Sequence, residues 1–219
     1  MGAGLRMVKR GYHHGDLRNA LGEAAVQLAS EGGPDSVTVR AAARLVGVTP
    51  TAAYRHYTGH EELVAEAKDQ CLAKLGAAIA EELVALPPTG SRVQAALRNL
   101  AAAGRAYVKF ALAEPGQFRT CFFQGGAVLD KDPGENAVFG MLVGLLDELV
   151  AAGFLKPDRR PMAEVAAWSA VHGLALLMLD GPLRDVSDEI KQEAIRRTML
   201  ISLSGLGDLT PELRAGLCN

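Results

Sequence analysis

Cysteine is scarce in this chain of 219 residues: there are three, Cys71, Cys121 and Cys218, far apart and odd in number. They make neither a disulfide framework nor a C-x-x-C metal pair, which points to a reducing, cytoplasmic compartment and to no metal site. Aromatic residues are few, 5% with a single Trp, and charge of one sign is not in excess, with 23 Lys+Arg against 25 Asp+Glu. With 49% hydrophobic residues, that balance excludes intrinsic disorder. Long apolar runs are missing too. The most apolar stretch, Val165 to Leu179, is interrupted by Ser169 and His172 and falls short of the ~20 residues a spanning helix needs. The basic N-terminus is followed by no apolar core, so no signal peptide and no membrane partner are expected.

Catalytic signatures are absent as well. H-E-x-x-H, G-x-S-x-G, a Walker A loop, a G-x-G-x-x-G after a strand and any Glu-x-x-His all fail to occur, which argues against an enzyme and against a bound cofactor. His13 and His14 are neighbours on one segment, and adjacent side chains rarely converge on one ion. A chain of this length buries a core without a disulfide or metal staple.

Near-neutral net charge hides an asymmetry. Residues 1–60 hold seven basic and four acidic side chains, and the remainder holds sixteen basic and twenty-one acidic. A small basic head on a larger acidic body is the charge pattern of a DNA-binding module joined to a sensing or oligomerising domain, although a chance fluctuation of a few charges would look the same. The division is placed at 1–60 and 61–219.

Apolar spacing is helical almost throughout, which makes the fold class all-α. Leu17, Ala20, Leu21, Ala24, Ala25 and Leu28 line one face of a first helix that stops at Ser30 to Pro34. Short helices follow at about 38–45 and 50–57, the second opened by a hydroxyl N-cap and a proline, Thr49-Pro50. Thr58 and Glu61 read as a capping box opening a long helix to about Leu86. Longer helices are expected at about 92–113, 117–124, 135–152, 161–179 and 187–204. Gly140 and Gly144 allow close helix approach.

Residues 38–57, TVRAAARLVGVTPTAAYRHY, are two short helices joined by a glycine turn, the helix-turn-helix spacing. Ala43 is small where the second helix crosses the first. Gly47 admits the positive φ that reverses the chain. Val46 and Val48 fill the angle and Ala53 packs beneath, while Thr49, Pro50, Thr51, Ala52 and Arg55 face outward. Of Tyr54 and Tyr57, three apart, one must point inward, and Tyr57 is the choice.

The stretch YHHGDLRNAL with TVRAAARLVGVTPTAAYRHYTGHEEL resembles the N-terminal region of TetR-type bacterial transcriptional regulators over about residues 12–63. Trp168-Ser-Ala-Val-His172-Gly173 is similar to a C-terminal signature of one branch of that family. The resemblance implies a three-helix head, a helical regulatory domain, a homodimer acting as a repressor on a near-palindromic operator in double-stranded DNA, and control by a small effector. It also implies that Thr38, Tyr54 and His56, with Arg55 beside them, bond phosphates, and that Arg40, Thr49, Pro50, Thr51 and Ala52 approach bases. The arm Arg6, Lys9 and Arg10 would follow the backbone or enter a minor groove. The family usually has Lys where this chain has His60, so a phosphate contact there depends on pH or is absent.

An effector pocket, largely apolar, is expected among Phe110, Phe118, Phe122, Phe139, Met141, Trp168 and His172, with His172 as its polar group. The same set at helical spacing also reads as plain core, with His172 a hydrogen-bonded core histidine. The helices at about 161–179 and 187–204 are expected to form the dimer bundle, by resemblance. The competing reading is a protein–protein interaction module with a degenerate head. A DNA binder loses affinity steeply as salt rises and such a module retains no specific DNA, which separates the two.

Overall fold

The computed structural model describes residues 14–123 and 137–217. The arm residues Arg6, Lys9 and Arg10, together with Gln124 and Cys218, lie outside the described residues. Within them the chain is all-helical. The head is built from α1 (His14–Gly32), α2 (Val39–Val46), α3 (Pro50–Ala53) and the start of α4 (His60–Val84). The body follows with α5 (Arg92–Ala113), α6 (Pro115–Cys121), α7 (Ala137–Ala151), α8 (Ala163–Leu179), α9 (Asp188–Leu206) and α10 (Pro211–Ala215). No described helix is long and apolar enough to cross a membrane.

Helix starts follow local chemistry. Thr38, Thr49, Ser91, Ser187 and Thr210 each accept a hydrogen bond at their side-chain oxygen from the backbone three residues on, satisfying one of the four amides a helix start leaves open. The final helix was not expected, although Thr210-Pro211 repeats the Thr49-Pro50 signal that opens α3. The start of α4 differs from the capping box expected at Thr58 and Glu61. Gly59 is the N-cap, and Glu62, one residue later, accepts from the Thr58 amide at 2.8 Å and the Thr58 hydroxyl at 3.0 Å. The helix begins at His60, so Glu62 rather than Glu61 occupies the third position that can fold back. Those two bonds hold its carboxyl below the usual range.

The second short helix is shorter than expected. Its α-helical part ends at Ala53, and the chain reaches Tyr57 as a tightened turn in which Arg55 and His56 bond three residues back rather than four. Gly144 is also unlike its expectation: it is exposed, with nothing within 4 Å of a Cβ built on it, so it mediates no close packing.

Packing divides into three apolar clusters. The head cluster joins Leu21, Ala25 and Ala29 of α1, Val39, Ala42 and Ala43 of α2, Ala53 and Tyr57 to Leu63, Val64, Ala67 and Cys71 of α4, and includes Cys121 of α6. The first turns of α4 therefore belong to the core of the head. Helix α5 is the axis of the body. Alanines at 96, 101, 102, 103, 106 and 111 bury it nearly all round and let α4, α7, α8 and α9 approach closely.

Candidate nucleic-acid interface and body cavity

The reversal between α2 and α3 rests on Gly47, which ends α2 with φ of 76°. The Val48 amide bonds Ala43 O at 2.9 Å across it, the helix-ending pattern that a left-handed residue makes possible. Ala42, Ala43 and Ala53 are fully buried in the head core. A larger side chain at these positions would overpack that core.

That crossing turns a single face outward. Thr38, Arg40, Arg44, Thr49, Pro50, Thr51, Tyr54 and Arg55 are exposed, and Ala52 and His56 are half-buried. Tyr54 is 45% exposed, whereas Tyr57 is 1% exposed and sits in the head core. Thr38 and Thr49 each use one acceptor position of the hydroxyl oxygen for capping, which leaves the hydroxyl hydrogen to donate elsewhere. Between Ser36 and His60 there is no carboxylate, against three arginines and two histidines. The outward face thus carries basic side chains and no carboxylate from its own segment. His60 is turned inward at one nitrogen: its Nδ1 lies 2.7 Å from Val37 O, so only Nε2 faces away.

Sequence reasoning missed Arg18. Its guanidinium donates to His56 O at 2.8 Å, pairs with Glu62 at 3.4 Å and Glu66 at 3.9 Å, and lies 4.6 Å over the Tyr57 ring. Tyr57 Oη donates in return to Arg18 O at 3.2 Å. One side chain of α1 thereby ties the end of the α3 turn to α4, fixing the angle at which Tyr54 and His56 are presented. No local signal marks Arg18, because its partners lie about forty residues on.

In the body, an apolar cavity of about 80 Å³ lies between α4, α5, α7, α8 and α9. Four of the residues expected there, Phe122, Phe139, Met141 and Trp168, line it. Phe110 and Phe118 do not. They are buried in the surrounding core: on α5 the cavity is met by Leu100, Gly104 and Tyr107 instead of Phe110, and at α6 by Phe122 instead of Phe118. His172 is not on the wall either; its Nδ1 is 2.8 Å from Tyr107 Oη. Burial keeps the imidazole below its ordinary range.

Beside Trp168 and Ser202, the polar group on the wall is Tyr107, which sequence reasoning passed over. It also accepts from Trp168 Nε1 at 3.1 Å, and burial pushes its phenol well up. It was readable as the lone hydroxyl on the apolar stripe of α5, but Trp168 and His172 meet it only in three dimensions.

Helix α6 lies between head and cavity. Phe122, at its end, lines the cavity and packs against the head core, while Cys121 is buried in that core. At its start Gly116 sits against the carbonyls of Ala29 and Ser30 at the end of α1. Ser30 Oγ donates to Glu114 at 3.1 Å beside it, and Gln117 Nε2 donates to Glu114 at 2.9 Å. Arg119 pairs with Asp180 at the end of α8 at 2.6 Å. Burial raises the Cys71 thiol to about 11 and Cys121 further, so both are unreactive packing groups.

Comparison with known proteins agrees with this geometry. Residues 21–67 match the model for bacterial regulatory proteins of the tetR family, and residues 100–200 match the tetracyclin repressor-like C-terminal domain, together more than half of the chain. A protein with unknown function from Rhodococcus sp. RHA1 shares 25% identity and a TM-score of 0.71 over 91% of this chain and 100% of its own. A TetR family transcription regulator from Marinobacter aquaeolei VT8, at 16% identity, has a TM-score of 0.60 over 88% and 96%. TetR from Acinetobacter baumannii AYE, at 21%, has 0.55 over 90% and 95%. No curated protein matches in sequence. The chain belongs to the TetR family, and it is a DNA-binding transcription regulator with a helix-turn-helix head and a helical C-terminal domain.

Proposed function

We propose that the protein is a ligand-responsive, homodimeric repressor that binds a near-palindromic operator in the cytoplasm, with residues 1–60 reading DNA and residues 61–219 sensing and dimerising. The observation that carries the reading is α6, which puts Phe122 on the cavity wall and Gly116 against the end of α1. A ligand weakens DNA binding only as far as it prefers the state with misplaced heads. A cavity of about 80 Å³ is well below the ~300–1,000 Å³ of ordinary ligand sites. A larger occupant must therefore spread its helices, and that spreading supplies the preference. Helix α4 runs from the head core past the cavity through Leu72 and Ile79 and is the second lever.

On the DNA side, Arg40, Thr49, Pro50, Thr51 and Ala52 are assigned to base edges and Thr38, Tyr54, Arg55 and His56 to phosphates. His60 contributes through Nε2. The exposure of this face, its freedom from carboxylates and the Arg18 clamp support the assignment. For the dimer, Leu176 and Leu177 of α8 and Ile190 and Ile201 of α9 are large apolar side chains turned to solvent on the last two long helices. A two-fold dimer places two heads on successive major grooves, which accounts for a near-palindrome.

The test is selection of bound sequences from a random DNA pool at moderate salt, with a Tyr54→Ala, His56→Ala control. An enriched palindrome that disappears in the control is expected. Enrichment that survives the control would remove these residues from the interface, and an enriched site without two-fold symmetry would remove the dimeric operator.

A further inference from the structure

The cavity wall is chemically restrictive. Among the described residues that line it, none is Asp, Glu, Lys, Arg or His, and the polar side chains are Tyr107, Trp168 and Ser202. Burial keeps the Tyr107 phenol protonated, so it brings no charge. A carboxylate or ammonium placed here would lose its hydration and gain no counter-charge.

The hydrogen bonding of Tyr107 is nearly used up. A phenol oxygen offers one donor and two acceptor positions. Trp168 Nε1 occupies one acceptor position, and His172 Nδ1 occupies either the donor or the second acceptor according to its tautomer. One position is left. A hydroxyl group suits it in either tautomer, because a hydroxyl both donates and accepts.

Shape narrows the class further. Helix α5 lines the cavity from Leu100 to Tyr107, α7 from Val138 to Leu145 and α9 from Met199 to Leu206. Seven steps of helical rise make each wall roughly 10 Å long, although the volume between them is only about 80 Å³. The space is therefore long and thin. Tyr107 lies toward one end with Trp168 and Phe122, while Leu100, Leu203 and Leu206 line the other end, where Ser202 is the one polar side chain among the described residues. Met141 and Met199, unbranched and flexible, are the wall groups best able to give.

We propose that this cavity takes an uncharged, slender amphiphile, an alkyl chain ending in a hydroxyl, with the hydroxyl on Tyr107 Oη and the chain running toward Leu206. The proposal rests on the reading of the cavity as the effector site and names the chemistry of the effector. It places the polar end of the ligand beside Phe122, on the helix that also packs against the head.

Trp168 is the single tryptophan of the chain and lies on the cavity wall, so its fluorescence reports occupancy directly. The full-length protein is titrated with 1-octanol, octanoate and n-octane. Octanol is expected to perturb Trp168 saturably and to bind at least about tenfold more tightly than octanoate. Tyr107→Phe is expected to weaken octanol about three- to tenfold, the worth of one neutral hydrogen bond, while leaving octane within about twofold. Octanoate binding as tightly as octanol overturns the proposal, and so does no saturable response to any of the three. The wild-type comparison decides the matter even if the variant folds poorly. Operator retention is measured in the same titration. Octanol bound without DNA release upholds this ligand class and overturns the effector reading, whereas release by octanol supports both.

Discussion

Two helical glycines, changed in the same way, are expected to move stability in opposite directions. Gly144 lies on the exposed side of α7, and a Cβ built there meets nothing within 4 Å. Gly144→Ala therefore reports backbone entropy and helix propensity alone, ~0.5–1 kcal/mol in favour of the folded state. Gly116 lies in the first turn of α6, where a Cβ would meet Ala29 O and come within 2.7 Å of Ser30 O and 3.1 Å of Ser30 C. These are backbone atoms at the end of α1, which cannot rotate aside as the tip of a side chain does. Carbon–oxygen contacts settle near ~3.3 Å, so α6 must retreat by roughly half an ångström or more.

Overpacking of this kind costs ~1–3 kcal/mol, which offsets or outweighs the propensity gain and leaves a net loss of up to ~2.5 kcal/mol. At ~2–4 °C per kcal/mol for a chain of this size, Gly116→Ala lowers the unfolding midpoint by up to ~10 °C. Gly144→Ala raises it by ~1–4 °C on the same scale. Thermal unfolding followed by circular dichroism, with wild type beside both variants, measures the two shifts. Operator affinity should fall in Gly116→Ala, because the retreat loosens the seat of α1, and should be unchanged in Gly144→Ala. A rise in Gly116→Ala matching that in Gly144→Ala would refute the argument, since α6 would then be free to move from α1 without cost.

Three further outcomes are expected. Arg40→Ala should relax base preference at one operator position by ~1–3 kcal/mol, while Tyr54→Phe weakens all operator variants about equally; binding-site selection on each variant distinguishes the two, and a change at one base pair for Tyr54→Phe would contradict its phosphate role. Burial holds the His172 imidazole low, so its contribution to stability is present above the unfolded value of ~6.5 and drains as pH falls through the lower folded value. His172→Gln should therefore lose less stability than wild type on acidification from about pH 7 to about pH 5, and parallel midpoint curves would show that His172 carries no such linkage. Ile201, 71% exposed on α9, is the place to test the dimer face. Deleting α9 would also remove the core residues Ile195, Met199 and Leu203, whereas Ile201→Glu should yield a folded monomer by sedimentation; an unchanged dimer would move the interface elsewhere.

Much of the head was legible in the sequence because its determinants act over three or four residues. Hydroxyl caps at Thr38 and Thr49, proline at the first position of α3, a glycine with positive φ at 47 and alanines at the crossing are each local, and together they specify the helix-turn-helix. The Thr58 cap was misread by one residue for the same reason: Glu61 and Glu62 both stand within reach, and only the helix register decides which one folds back. Spacing suggested that one of Tyr54 and Tyr57 points inward, and the choice of Tyr57 agrees with its burial.

The body was legible as helices but not as a site. Apolar periodicity shows which face of α5 or α8 is buried, and it cannot show where buried faces fail to meet and leave a cavity. Phe110 and Phe122 look alike in the sequence, yet one fills core and the other lines the space. Tyr107, Trp168 and His172 become one hydrogen-bonded group only when helices some sixty residues apart are packed together. The same holds for Arg18 beneath the head and for Gly116 against α1. Capping and turning are decided by chain neighbours, so the sequence alone determined the helices and the DNA-facing turn. Cavities, clamps and close backbone approaches are decided by atoms distant in the chain, so only the tertiary structure determined how the body can hold a ligand and reach the head.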